Sequence, residues 1–143
     1  SLLRGMPLTS LRCSSTQVTD LSPLRGMQLT VLAFEATGVS DLSPLRGMPL
    51  RSLVCHATRI SDLSPLQGMP LRDLQVHDTL VSDLTPLAGM DLEAIGVTPK
   101  GIVKGIEALR AMPSLKQVTI SWSPAITLEA SEFWRRYEAG EFR

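Results

Sequence analysis

The sequence is poor in most of what chemistry needs. It has two histidines and two cysteines in 143 residues. No glycine-rich phosphate loop appears; the glycines recur as turn punctuation in GMP and GMQ. The repeated serines come without recurring His and Asp partners, so there is no nucleophilic triad and an enzyme ranks last. Nothing calls for a cofactor. No excess of charge exists, with 14 basic and 14 acidic residues and a net charge of zero. A surface built for nucleic acid or anionic lipid would be basic, so neither is expected as a partner. No apolar run is long enough to span a bilayer. Aromatics are few, and five of the six (Trp122, Phe133, Trp134, Tyr137 and Phe142) fall after residue 121.

What the chain has instead is repetition. Asp41 to Leu50 reads DLSPLRGMPL, and it returns as DLSPLRGMQL from Asp20, DLSPLQGMPL from Asp62 and DLTPLAGMDL from Asp83. The four aspartates are 21 residues apart each time. A fixed period of this size predicts stacked coils, each burying its apolar side on its neighbours. Each block leads into a second pattern, LxxLxCxxTxI from Leu50, with counterparts from Leu8, Leu29 and Leu71 and looser ones from Leu92 and Leu115. Side chains alternate along a strand. Leu50, Leu53 and Cys55 therefore turn inward, and Ser52, Val54 and His56 outward. Stacking gives an inward column of Cys13, Phe34, Cys55, Val76, Val97 and Ile120. On the opposite side, Ser43 before Pro44 predicts an N-cap and first helical position. Gly47 ends that turn, leaving room for a 3₁₀ piece. Asp41 can cap the turn with its carboxylate, and Leu42, Leu45 and Met48 point inward.

The LxxLxCxxTxI unit resembles the leucine-rich repeat, whose signature is L-x-x-L-x-L-x-x-N/C-x-L. The DLSPL turn is similar to that of the short bacterial class that includes the internalins. The GMPL ending resembles repeat regions of multidomain bacterial proteins, some with protein kinase domains; no kinase motif is present here. The resemblance implies an α/β fold: a right-handed solenoid with a parallel β-sheet on its concave face, short 3₁₀ turns on its convex face and a C-terminal capping helix. In that family the position of Thr16, Thr37, Thr58 and Thr79 is often asparagine, which bonds backbone groups of neighbouring coils. A hydroxyl is expected to meet part of that need.

Residues 1–143 form a single leucine-rich repeat domain, with repeats over about 1–125 and a cap over about 126–143. Ser1 to Leu8 aligns with the middle of a repeat, so the chain reads as a fragment of a longer protein. Leu2, Leu3, Leu8 and Leu11 then form an uncapped apolar end, which predicts self-association there. Lys100 stands where threonine is expected, and the unit from Leu92 to Leu115 is two residues longer. Ile102, Ile106 and Leu109 predict an α-helix near 102–111. Ala130, Phe133, Trp134 and Tyr137 predict an amphipathic capping helix, N-capped by Thr127 and stopped by Gly140.

Cys13 and Cys55 are two coils apart in the inward column, roughly 10 Å and too far for a disulfide. Buried free thiols fit a reducing compartment and a cytoplasmic location. The aspartate column reads as repeated capping rather than a calcium ladder. The outward strand positions differ most among the repeats, and solenoids usually dock partners on that face. Arg12, Glu35, Val54, His56, Asp73, Gln75, His77 and Thr119 are the candidate partner-binding residues. Glu35, His56 and His77 could be read as zinc ligands, but a straight ladder spreads them, and a solvated or pH-sensitive pair is the expectation, with no metal. The favoured function is a protein-protein interaction module for a protein or peptide. The alternative is a structural or regulatory repeat domain of a larger multidomain protein such as a kinase.

Overall fold

The computed structural model describes residues 6–122 and 124–143. Seven strands make one sheet in chain order: β1 (Ser10–Arg12), β2 (Val31–Ala33), β3 (Ser52–Val54), β4 (Asp73–Gln75), β5 (Ala94–Gly96), β6 (Gln117–Trp122) and β7 (Ala125–Glu129). β1 to β6 are parallel, and β7 runs antiparallel to β6. The register follows the repeat: Ser10, Val31, Ser52, Asp73 and Ala94 face one another, and Ala94 then faces Gln117. Each inward leucine therefore stacks on its own copies. Leu32, Leu53, Leu74 and Ile95 are fully buried, in one cluster that runs from Leu21 to Phe133.

Opposite the sheet lie 3₁₀ turns at Ser22–Leu24, Ser43–Leu45, Ser64–Leu66 and Thr85–Leu87. The aspartate builds each one. Asp41 Oδ1 accepts the Ser43 backbone N–H at 2.8 Å and Oδ2 accepts the Ser43 hydroxyl at 2.9 Å. Asp20 and Asp62 do the same for Ser22 and Ser64, and Asp83 Oδ1 accepts both the N–H and the hydroxyl of Thr85. The capping role expected of Ser43 thus falls to Asp41, because its longer side chain reaches past Leu42 to the first free N–H. Ser43 is the first residue of the turn and Pro44 the second. Gly47 follows at φ +77, a conformation that costs glycine nothing. Leu42, Leu45 and Met48 are buried as expected.

A second recurring device closes the strand end. Ser15, Ala36, Ala57 and Asp78 all have φ near +55. The following threonine holds the bend: Thr58 Oγ1 donates to the Cys55 carbonyl at 2.7 Å, and Thr16, Thr37 and Thr79 repeat this. These bonds stay within one coil, contrary to the expected reach between coils, because a hydroxyl on Cβ is too short. The backbone makes the link between coils, with the Ala36 N–H on the His56 carbonyl at 3.1 Å and the Ala57 N–H on the His77 carbonyl at 3.2 Å.

The next bend position is Pro99, whose ring fixes φ near −65° and forbids the left-handed turn. The fifth coil therefore departs from the pattern through a 3₁₀ turn at Pro99–Gly101, and the Asp78 N–H finds the Thr98 hydroxyl at 2.7 Å. The helix expected over 102–111 is only α1 (Ile106–Arg110). Residues 103 and 104 pair instead with the previous coil, through Val103 N–H to the Ser82 carbonyl at 2.9 Å and a parallel bridge between Lys104 and Asp83.

The C-terminal cap has two parts where one helix was expected. Thr127 is not an N-cap. It lies in β7, paired with Thr119 across a 2.9 Å hydroxyl contact. Ile126 and Thr127 are β-branched, which suits a strand. The helix follows as α2 (Ala130–Glu138), without a side-chain cap. It closes the end of the core with Phe133, which is fully buried and stacks on Phe142 at 5.4 Å. At the other end, Leu8 and Leu11 are half-buried against the core, while Leu2 and Leu3 lie outside the described residues. Phe133→Ala should destabilise the chain by about 3–5 kcal/mol, read as a lower urea midpoint. An unchanged midpoint would show that α2 does not close the core.

Candidate functional site: the outward face of the sheet

Three columns of side chains leave the sheet on the side away from the core. Their members superimpose because the strands are in register. Arg12 is exposed on β1, and Glu35, Val54, Asp73 and Gln75 are half-buried around the middle strands. These five are brought together on one face. Asp73 organises its centre: Oδ1 accepts from Gln75 Nε2 at 2.7 Å, and Oδ2 lies 3.5 Å from the Ser52 hydroxyl. Glu35 Oε2 and Gln75 Oε1 are buried, with no hydrogen-bond partner among the described residues.

Three of the expected site residues are not presented to solvent. His56 is 6% exposed, His77 0% and Thr119 8%. Thr119 is covered by the β6–β7 hairpin, where its hydroxyl meets Thr127. The two imidazoles, expected to point outward as a solvated pair, stack face to face with centroids 4.4 Å apart and planes 11° from parallel. Gly96 helps make this possible. A side chain there would strike Gln75 Oε1 and His77 Nδ1, which occupy the space its Cβ would take. The side chains of β4 and its exit thus lean over β5. The glycine in the column Ala33, Val54, Gln75, Gly96 was the available signal in the sequence.

Burial sets the chemistry of the pair. Desolvation lowers the pKa of both histidines below the ordinary value. Glu35 and Asp78 partly offset this at His56; at His77 the neighbouring His56 lowers it further and Asp78 offsets part of the fall. Parallel stacked rings direct their nitrogens along two separate planes instead of toward one point. No group of three or more His, Cys, Asp or Glu placed to hold a metal occurs among the described residues. Cys55 is fully buried, and desolvation pushes its thiol far above the usual range; Cys13 is half-buried and raised in the same direction. Both are free, and a raised pKa leaves little thiolate to react.

The histidines give the fold a pH dependence of definite sign. A histidine whose folded pKa is depressed favours the neutral state, so its contribution is whole above the unfolded pKa of 6.5 and is lost as pH falls below it. The capping aspartates have pKa values lowered by their bonds to Ser and Thr, and they titrate only below 3.8. The urea midpoint should therefore drop between pH 7.5 and pH 5, and this drop should flatten in a His56→Gln, His77→Gln variant. The same variant should be less stable at pH 7.5, by about 1–3 kcal/mol. A parent midpoint that does not move with pH would refute the assignment.

No protein-family model and no curated protein matches the sequence. Solved structures do. Internalin C2 of Listeria monocytogenes is 36% identical, with a TM-score of 0.56, over 57% of this chain and 38% of that one. A second Listeria monocytogenes internalin, inlF, is 28% identical, with a TM-score of 0.65, over 79% of this chain and 35% of that one. The chain thus spans less than two fifths of either internalin's length. With its in-register parallel strands, aspartate-capped 3₁₀ turns and this likeness, the chain is a leucine-rich repeat solenoid, similar in fold to these internalin structures.

Proposed function

We propose that the chain is a protein-interaction module that docks a protein or peptide on the open part of its concave sheet face. One observation carries the reading. Val54, Asp73 and Gln75, on strands locked by the repeat register, and Glu35 just beyond β2 form a chemically mixed surface, two carboxylates, an amide and an apolar spot. A preorganised face loses little entropy on docking. Arg12 is the only cation among the strand positions β1 to β5, so the face suits a polypeptide better than a phosphate backbone. The reading involves no catalytic step, and the two free thiols, Cys55 buried and Cys13 half-buried, suit a cytoplasmic, reducing setting.

A second reading, a structural or regulatory repeat of a larger protein, has its own support. His56, His77 and Thr119 are spent inside the face rather than on it, which leaves the C-terminal half of the sheet little to offer a partner. Affinity capture from the source cells separates the two. The interaction module should retain a defined partner, and Val54→Arg with Asp73→Lys should weaken that capture at least about tenfold while the melting temperature stays close to that of the parent. Equal capture by the parent and the variant would place the docking surface elsewhere. A parent that retains nothing would favour the structural reading.

A further inference from the structure

A separate surface lies at the corner where each coil passes from turn to strand. Arg51 and Arg72 occupy the same position in adjacent coils, and the Arg72 N–H donates to the Arg51 carbonyl at 2.8 Å. Both side chains are exposed. Like charges directly opposite on neighbouring segments repel. Glu93 follows Arg72 directly in the same column, its N–H on the Arg72 carbonyl at 2.8 Å, but its carboxylate lies toward the next coil, 3.9 Å from Lys116. Arg51 and Arg72 form no ion pair with a carboxylate among the described residues. They border a cleft of about 200 Å³ whose walls include Met69 and Met90. Arg72 Nη1 is tied to the Asp91 carbonyl at 3.3 Å, which holds the guanidinium along the cleft.

We propose that this cleft binds an oxyanion, a carboxylate or a phosphate, carried on an aliphatic stem. Guanidinium groups present paired N–H donors that match the oxygens of either anion. Two of them on adjacent coils supply both the charge and the fork, and an oxyanion between them relieves their repulsion. The edges of Met69 and Met90 that reach the cleft give a stem a narrow apolar strip in a mostly polar lining. Asp91, which also lines the cleft, brings a carboxylate that competes with the ligand.

The test is an amide NMR titration of the full chain with inorganic phosphate and, separately, with acetate. Saturable shifts are expected at Gly68, Gly89 and Arg72. Arg51→Ala with Arg72→Ala should weaken binding about tenfold or more, and Asp91→Asn should strengthen it. Saturation by phosphate alone identifies a phosphate site, saturation by acetate alone a carboxylate site, and saturation by both a general oxyanion site. Should the double variant melt early, Arg51→Gln and Arg72→Gln as single changes give the same comparison. Val54→Arg with Asp73→Lys should leave the phosphate response at Gly68 and Gly89 in place, which separates this cleft from the sheet face. Absence of a saturable shift with either probe, an undiminished response in the arginine variants, or weaker binding by Asp91→Asn would overturn the proposal.

Discussion

No coil of this chain has a core of its own. An inward Leu53 is buried because Leu32 lies on one side of it and Leu74 on the other. That mutual dependence is the constraint on which the rest of the structure hangs, and it demands strict register. A slip of one residue would move every leucine to the solvent side of the sheet. Two local devices prevent it. The aspartate cap sets the geometry of each convex turn, and the left-handed residue with its threonine sets each strand exit. Both recur at the same place in successive coils. The leucines supply the cohesion, while these polar details decide where each coil begins and ends.

The framework was readable in the sequence because it rests on short-range rules repeated four times. The 21-residue spacing of Asp20, Asp41, Asp62 and Asp83 led to the strands, the turns and the inward columns. What escaped was the work of single residues. Lys100 drew attention as the break in the threonine series, but Pro99 is the residue that forbids the bend. Thr127 resembled an N-cap because serine and threonine precede helices, yet pairing with Thr119 in a hairpin satisfies it better. Ile102 fits the helical spacing, but the edge of the previous coil captures residues 103 and 104 as extended chain. In each case a contact with a neighbouring coil overrode a local preference.

The site was legible in position and misread in exposure. Alternation along the strand places His56 and His77 on the outward face, and the register sets them side by side. Whether outward means solvated depends on what the next strand carries there. At Gly96 it carries nothing, so His77 and Gln75 fold down into the gap, His56 stacks on His77, and part of a surface becomes a small polar interior. Glu35, Val54 and Asp73, away from that gap, stay half-buried. The same alternation thus yields two environments within one column of the sheet.

Coils two and three differ by little more than their outward residues. Asp41 to Leu50 and Asp62 to Leu71 are the same at every position but one, where Arg46 is replaced by Gln67. Each coil therefore offers its neighbours nearly the same pair of docking surfaces. A unit of this length could be removed or duplicated between Asp20 and Asp83 with each junction still meeting a familiar partner. The molecule is modular in that stretch, a ruler whose gradations are interchangeable. Beyond Pro99 no such exchange is open, since the proline, the longer fifth unit and the returning strand fit only one place. The architecture joins an adjustable length to a fixed terminus.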